Sequence, residues 1–564
     1  MVSNPVTSKC ISRLALLISA ASACSGRATT PATKSTPELI FVNADIHTMD
    51  GARPRAQAVA IDDGVIVAVG TDAEIKRLAI GSTRVIDLAG KTLTPGLIDA
   101  HCHLYGLGVD LENISVRGLA SEQAAVTKLA TASKASKGEW VLGRGWDQNR
   151  WPAQQWPTKA SLDVAFGDRP VLVRRIDGHA SWVNSKALAL ANITKATPDP
   201  TGGKILRDDQ GEPTGVLIDN AGELVDAVIP VASAAVRERR IRQAAKLAIE
   251  AGITGVHDMG IEDATADVYR TLAAANQLPL RVYAYLAGDP GKLARVRVAP
   301  APATGWFAMR GVKFFADGAL GSRGARMYAP YDDERANKGL WVTEPGVLRD
   351  AVDAAVSGGW QVAIHAIGDA GIGSVLDAYL AASAKHGGDR RLRVEHLQVV
   401  APEDWKRLVE SKAIASMQPT HATSDMPWAE QRVGAERIRG AYAWRTVLDK
   451  GVPLAAGSDF PVEEVAPLLG IYAAVTRQDA TGKPPGGWYP DQKLTLDEAL
   501  AAFTSGAAYA EFAEGSRGVI AVGRVADVTV FDRALAADRT ILDTHVQLTI
   551  VGGKIVYERG VPAP

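Results

Sequence analysis

Eight short apolar runs recur between residues 93 and 462, and this repetition limits what the chain can fold into more than any other feature. They read LTPGLIDAHCH (93–103), GITGVHDMG (252–260), LRVYAYLAG (280–288), GVKFFADG (311–318), WQVAIHAIGD (360–369), RLRVEHLQ (391–398), AIASMQPTH (413–421) and PLAAGSDFPV (453–462). Stretches with helical spacing separate them. Continuous apolar strands alternating with helices belong to a parallel α/β architecture. Eight such units close into a (β/α)8 barrel of the TIM type, whose active site lies at the C-terminal ends of the strands. The polar residues gather there. His101 and His103 end the first run, His257 the second, and Asp317 follows the fourth. His365, His396, His421 and Asp459 end runs five to eight. Lys313 is out of place in another way, a lysine inside the apolar run GVKFF.

In a strand, side chains two apart share a face. His101 and His103 therefore converge, and Cys102 points away. Paired neutral imidazoles suit a metal ion; the alternative is a hydrogen-bonded pair near a strand end. Cys102, turned from the pair, reads as a small core residue.

Residues 38–93 and 515–564 have a different character, with short alternating strands and turns at both ends of the chain. Neither piece holds enough strands for a stable sheet alone, so the two are expected to combine into one small β-sandwich domain around the barrel segment 94–514. Between the first two barrel units, residues 107–232 form an insertion far longer than a connecting loop. It leaves the C-terminal end of the first strand and must sit over the mouth of the site. Trp146, Asp147 and His179 lie in stretches suited to a pocket, which favours a substrate-recognition subdomain over a spacer or assembly arm.

At 564 residues the chain has room for a large core and several domains. Lys and Arg number 62 against 63 Asp and Glu, so no electrostatic pull toward nucleic acid or a membrane surface is expected. The N-terminus offers the one membrane link. Lys9 and Arg13 precede LALLISAASAC, a basic and then apolar stretch ending in small residues before Cys24, as in a bacterial export signal over 1–24. Cys24 matches a lipidated cysteine, although Ala21 stands where Leu is usual; ASA at 21–23 would also serve ordinary secretory cleavage. Residues 25–37 read as a flexible tether. The chain is thus expected to be exported, periplasmic or lipid-anchored. No disulfide framework is implied, since Cys102 stands alone once Cys10 is removed and Cys24 is lipidated.

Taken together, DAHCH, Lys313 in GVKFFADGALGSRGA, His365 in IHAIGDAG, His396 in VEHLQ and Asp459 in GSDFP resemble the amidohydrolase superfamily. The long insertion, with DGHASWVNSKAL and FADGALGSR, looks like its family-3 branch, which includes N-substituted formamide deformylases. The resemblance implies one or two divalent metal ions, with His101, His103 and Asp459 on one and His365 and His396 on the other. Zn²⁺ suits such nitrogen and oxygen ligands, without excluding Mn²⁺, Fe²⁺ or Co²⁺. Lys313 would be a carbamate formed with CO₂ that bridges the ions. Chemistry agrees, because an ammonium cannot ligate a cation; the alternative is an unmodified lysine paired with an acid such as Asp317. The implied reaction is attack by metal-activated water on a non-peptide amide, formamide or carbamate, with Asp459 as catalytic acid and base. His179, His257 or His421 would stabilise the oxyanion, and Trp146, Asp147, Asp317 and Arg323 would line the substrate site. A lactonase, esterase or phosphotriesterase would use the same centre. A non-catalytic surface-anchored binding protein is disfavoured because every ligand position is filled. The partner is a small amide-like molecule, and self-assembly stays open.

Overall fold

The computed structural model describes residues 36–135 and 138–561; the stretch expected to be an export signal, Cys24 and most of the expected tether lie outside them. At its centre eight parallel strands follow one another round a barrel: Leu97–Cys102, Ile253–Ile261, Arg281–Ala287, Phe307–Phe315, Gln361–Ala366, Arg393–His396, Ile414–Met417 and Leu454–Ala456. These are barrel strands one to eight. Most of their residues are buried, as expected for strands covered on both faces. Helices such as Ala234–Glu250, capped by the Ser233 side chain, and Asp369–His386 pack on the outside. No helix among the described residues is long and apolar enough to cross a membrane.

The seam between strands eight and one is closed by local chemistry. Asp459 N donates to His101 O at 2.7 Å, and His103 N to Phe460 O at 2.8 Å. Asp99, fully buried, accepts from Ser458 N, Ser458 Oγ and His101 N. Gly457 passes so close that a Cβ there would lie 2.4 Å from His101 N. A side chain at this point would force the seam apart.

The first apolar run is in fact two strands. Thr92–Pro95 pairs antiparallel with Val528–Phe531, outside the barrel, and the barrel strand starts at Leu97. Two sheets flank the barrel at the chain ends. One has six strands and mixes both ends: Lys554–Glu558, Val546–Val551, Val528–Phe531, Thr92–Pro95, Asp45–His47 and Arg55–Ala56. The other has four strands, Val65–Gly70, Ala58–Asp62, Leu39–Val42 and Arg84–Asp87, all from the N-terminal piece. The expectation that neither end forms a sheet alone is corrected only in the strands. The N-terminal piece supplies all four strands of one sheet, but that sheet does not pack alone, since its apolar side chains (Phe41, Val59, Ile61) share one core with Val528, Val530 and Ile550 from the far end.

The insertion carries its own six-stranded mixed sheet, drawn from residues 114–219. One face packs Trp146, Trp151, Leu162 and Trp182; the other packs Trp140, Leu172, Val183 and Leu217. Its strand Val141–Trp146 contains a bulge at Gly145, where φ is 113°. Val141 and Trp146 thereby reach the same apolar cluster, a match that strict alternation forbids for positions five apart.

Candidate active site

The histidines at the barrel mouth share one pattern. His101 Nδ1 lies 2.5 Å from Glu395 Oε2, His103 Nδ1 2.9 Å from Met259 O, and His396 Nδ1 2.8 Å from Gln418 Oε1. An acceptor on Nδ1 fixes the tautomer and leaves each Nε2 as a free lone pair. His101 Nε2 and Asp459 Oδ1 are buried and have no hydrogen-bond partner among the described residues, yet they stand 3.5 Å apart. His103 Nε2 lies 3.1 Å from the same Asp459 oxygen. His101, His396 and Asp459 place their ligating atoms within 4.8 Å of one another. This tight set takes members from both of the ligand groups that the family resemblance separates.

His365 stands next to it, its ring centroid 4.6 Å from that of His396, with Nε2 3.2 Å from Gly318 O. Lys313 is buried, its Nζ 4.9 Å from the centre of the Phe315 ring. Among the described residues no carboxylate lies within ion-pair reach of it. Asp317, its proposed partner, is instead held by the amides of Arg326, Ile367 and Gly368 at 2.8, 3.0 and 2.8 Å.

Burial governs the protonation states. It pushes His101 down to about 4 and holds His365 and His396 well below the ordinary imidazole value. The Lys313 amine is lowered to about 8 by the same desolvation. Burial works against the ionised Asp459, and the imidazoles of His101 and His103 beside it keep it well below the usual carboxylate range. His396 and Asp459 both hold a left-handed backbone, with φ of 70° and 61°, a cost tolerated where the surrounding structure demands it.

A cleft of about 640 Å³ opens over this cluster, lined by His365, His396, His421 and Asp459 from the barrel and by Asp147, Arg175, Asp177 and His179 from the insertion. A larger cavity of about 1880 Å³ reaches His103 from the other side and shares Asp177 and His179 with the first. Asp147, His179 and His421 thus sit where a substrate residue should. His421 Nε2 is 3.6 Å from Asp459 Oδ2, and His179 Nδ1 is 2.6 Å from Asp219 Oδ1.

Four expected substrate residues lie elsewhere. Trp146 is 1% exposed in the core of the insertion, and its indole N–H donates to Val173 O at 2.8 Å. His257 is sealed inside the barrel, with Nδ1 2.7 Å from Arg393 Nη1 and Nε2 3.6 Å from Glu511 Oε2. Asp317 is consumed by its three amides. Arg323 pairs with Asp333 at 3.0 Å and with Glu334 at 3.3 Å, outside both cavities. In each case a polar tip that suggested ligand contact has a partner within the protein.

The sequence reading passed over Glu395, which orients His101 and is itself gripped by Arg393 at 2.8 Å. It also passed over Asp99 and Gln418. Glu395 carried a usable signal, since an acid and two arginines inside RLRVEHLQ are as misplaced in an apolar run as Lys313 is.

A parallel barrel whose mouth gathers lone-pair imidazoles, a carboxylate and a buried lysine defines a metal-dependent hydrolase. The amidohydrolase family model matches residues 84–557, and the chain belongs to that family. YtcJ of Bacillus subtilis is 34% identical over 536 residues, covering 93% of this chain and 100% of its own. The N-substituted formamide deformylase of Arthrobacter pascens is 29% identical, covering 93% of this chain and 98% of its own. A crystal structure of a metal-dependent hydrolase from Pyrococcus horikoshii superposes with a TM-score of 0.71 at 28% identity, covering 88% of this chain and 97% of that one.

Proposed function

We propose that this amidohydrolase cleaves the C–N bond of a non-peptide amide, N-substituted formamide or carbamate, with Asp459 moving the proton. The convergence of the unpartnered His101 Nε2 and Asp459 Oδ1 carries the reading. Buried lone pairs without donors are costly, and a divalent cation satisfies them. The donor set of imidazole and carboxylate fits Zn²⁺, with His101, His103 and Asp459 as one group and His365 and His396 as a second. Such an ion supplies polarisation of the scissile carbonyl and acidification of water. Asp459, ionised and wedged between His101, His103 and His421, is placed to take a proton from water and return it to the leaving nitrogen. Lys313 supports the carbamate reading in two ways. It has no carboxylate partner among the described residues, and burial keeps a fraction of its amine neutral at physiological pH. A neutral Nζ adds CO₂ with loss of one proton, which turns a buried cation into an anionic oxygen ligand.

The test joins elemental analysis to a panel of matched amides and esters. Wild type is expected to hold Zn²⁺ or a similar ion and to favour the amides; a preference for esters or lactones contradicts the proposal. His101→Ala should lose both metal and turnover. Asp459→Asn should cut turnover by roughly 10²–10⁴ with part of the metal retained, in line with loss of a general acid–base. Lys313→Ala should regain activity in added acetate or propionate, whose carboxylates fit the space of the carbamate oxygens.

A further inference from the structure

We propose that the larger cavity receives a carboxylate on the substrate, bound by Arg144, so that the favoured amides are N-acylated amino acids or similar carboxylate-bearing amides. This rests on the amide reading above and adds its substrate class.

Arg144 comes from the insertion strand Val141–Trp146 and lines the cavity together with His103, Phe315 and Val342. Four arginines line that cavity. Arg174 is paired with Asp226, Arg237 with Glu262 at 2.8 Å, and Arg240 with Glu112 at 2.8 Å. Arg144 differs. Among the described residues it has no carboxylate within ion-pair distance, and its Nε is buried without a partner. Its Nη2 donates to a single carbonyl, Ile176 O, at 2.9 Å.

Of the acids around Arg144, Asp177 is held by Arg175 and Asp219 by His179 at 2.6 Å, Asp459 is turned to the histidine cluster, and Asp110, the acid that acts on Arg144 most, stands beyond ion-pair distance. A guanidinium keeps its charge in a protein, so an unpaired one in a cavity wall calls for an anion. Its planar fork matches a carboxylate in two-point contact. The position also fits. His103 lines the same cavity and turns its Nε2 toward Asp459, so a carboxylate on Arg144 would leave the amide beside the cluster. Phe315 and Val342 offer apolar surface to the carbon skeleton, and Asp177 and His179, common to both cavities, leave a path into the smaller cleft.

The experiment compares N-acetyl-phenylalanine, both enantiomers, with N-acetylphenethylamine, which lacks only the carboxylate. Metal-loaded wild type, Arg144→Lys and Arg144→Met are assayed for kcat/KM, and their folding is checked by thermal melting. The ratio of carboxylate to neutral substrate is expected to fall about 10–100-fold in Arg144→Met, the range of a lost charge-assisted hydrogen bond, and less in Arg144→Lys. A structural role would lower both substrates together and leave the ratio unchanged, which overturns the proposal. Calorimetric binding of the same two compounds keeps the test independent of turnover. A carboxylate preference in wild type that Arg144→Met abolishes supports Arg144 even if neither compound is hydrolysed, in which case the amide reading fails alone. Equal binding of the two compounds, or no binding of the carboxylate, overturns the proposal.

Discussion

Three imidazoles at the barrel mouth, His101, His103 and His396, hand Nδ1 to a fixed acceptor and keep Nε2 bare, while burial controls how the site responds to pH. His101 is lowered to about 4, and His365 and His396 lie well below their ordinary value, all through burial. The unfolded chain holds these protons up to about 6.5, so across that window it binds more protons than the folded one. Their contribution to stability is complete above the unfolded value and is lost as the pH falls through the folded values. His179 has the opposite sign: burial lowers it, but the Asp219 carboxylate raises it further. Asp99, Asp317 and Asp425, pushed up to about 7 by burial, and Asp258, pushed up to about 6, oppose the histidines in the same window, because folded chain holds their protons where unfolded chain has lost them. The histidine share is therefore read by difference: the melting temperature of chelator-stripped wild type minus that of chelator-stripped His365→Asn should fall between about pH 6.5 and pH 4; a difference that stays flat or rises on acidification contradicts this account. At this scale the sequence identified residue types well and surroundings poorly. Lys313 was visible as a charge inside an apolar run, but nothing in the chain around His257 showed that Arg393 would meet its Nδ1 and that Glu511 would stand 3.6 Å from its Nε2.

The insertion shows what an element adds to its residues. Trp146 and Arg144 lie two apart on one strand, and strict alternation would put both on one face. The bulge at Gly145 separates them, sending the indole into the apolar cluster with Trp151 and Trp182 and leaving the guanidinium in the cavity wall. Gly145 needs its glycine twice over, for a φ of 113° and because a Cβ would lie 2.8 Å from Arg117 N. Trp146→Ala should accordingly act on stability, at about 3–5 kcal/mol for a buried aromatic removed from a packed core. Denaturant unfolding measures the loss, and metal content should be unchanged, since no metal-site residue touches this cluster. Loss of metal with unchanged stability would show that the indole acts at the site instead.

Across the whole molecule, the flanking β-sheets are tied to the barrel by the buried ion pair of Arg281, on strand three, with Asp527, at 2.7 Å. For the segment before these sheets we propose export and acylation at Cys24, supported by the basic, apolar and small-residue order of residues 9–24. Cys24→Ala should then move the enzyme from the membrane fraction to the soluble one, since a lipoprotein's several acyl chains anchor stably; uncleaved chain in the cytoplasm contradicts export. By itself the sequence determined the barrel, the family and the core of the mouth: His101, His103, His365, His396 and Asp459. Those follow from local periodicity and chain order: eight parallel strands joined by helices bring all their C-terminal ends to one side. Only the tertiary structure decided that Glu395, 294 residues away, orients His101, and that Asp99 clasps Ser458 across 359 residues to close the seam. It also decided which polar tips face the cavities and which are satisfied within the core. Those outcomes depend on partners far apart in the chain and on which groups packing deprives of water, and no local pattern encodes either.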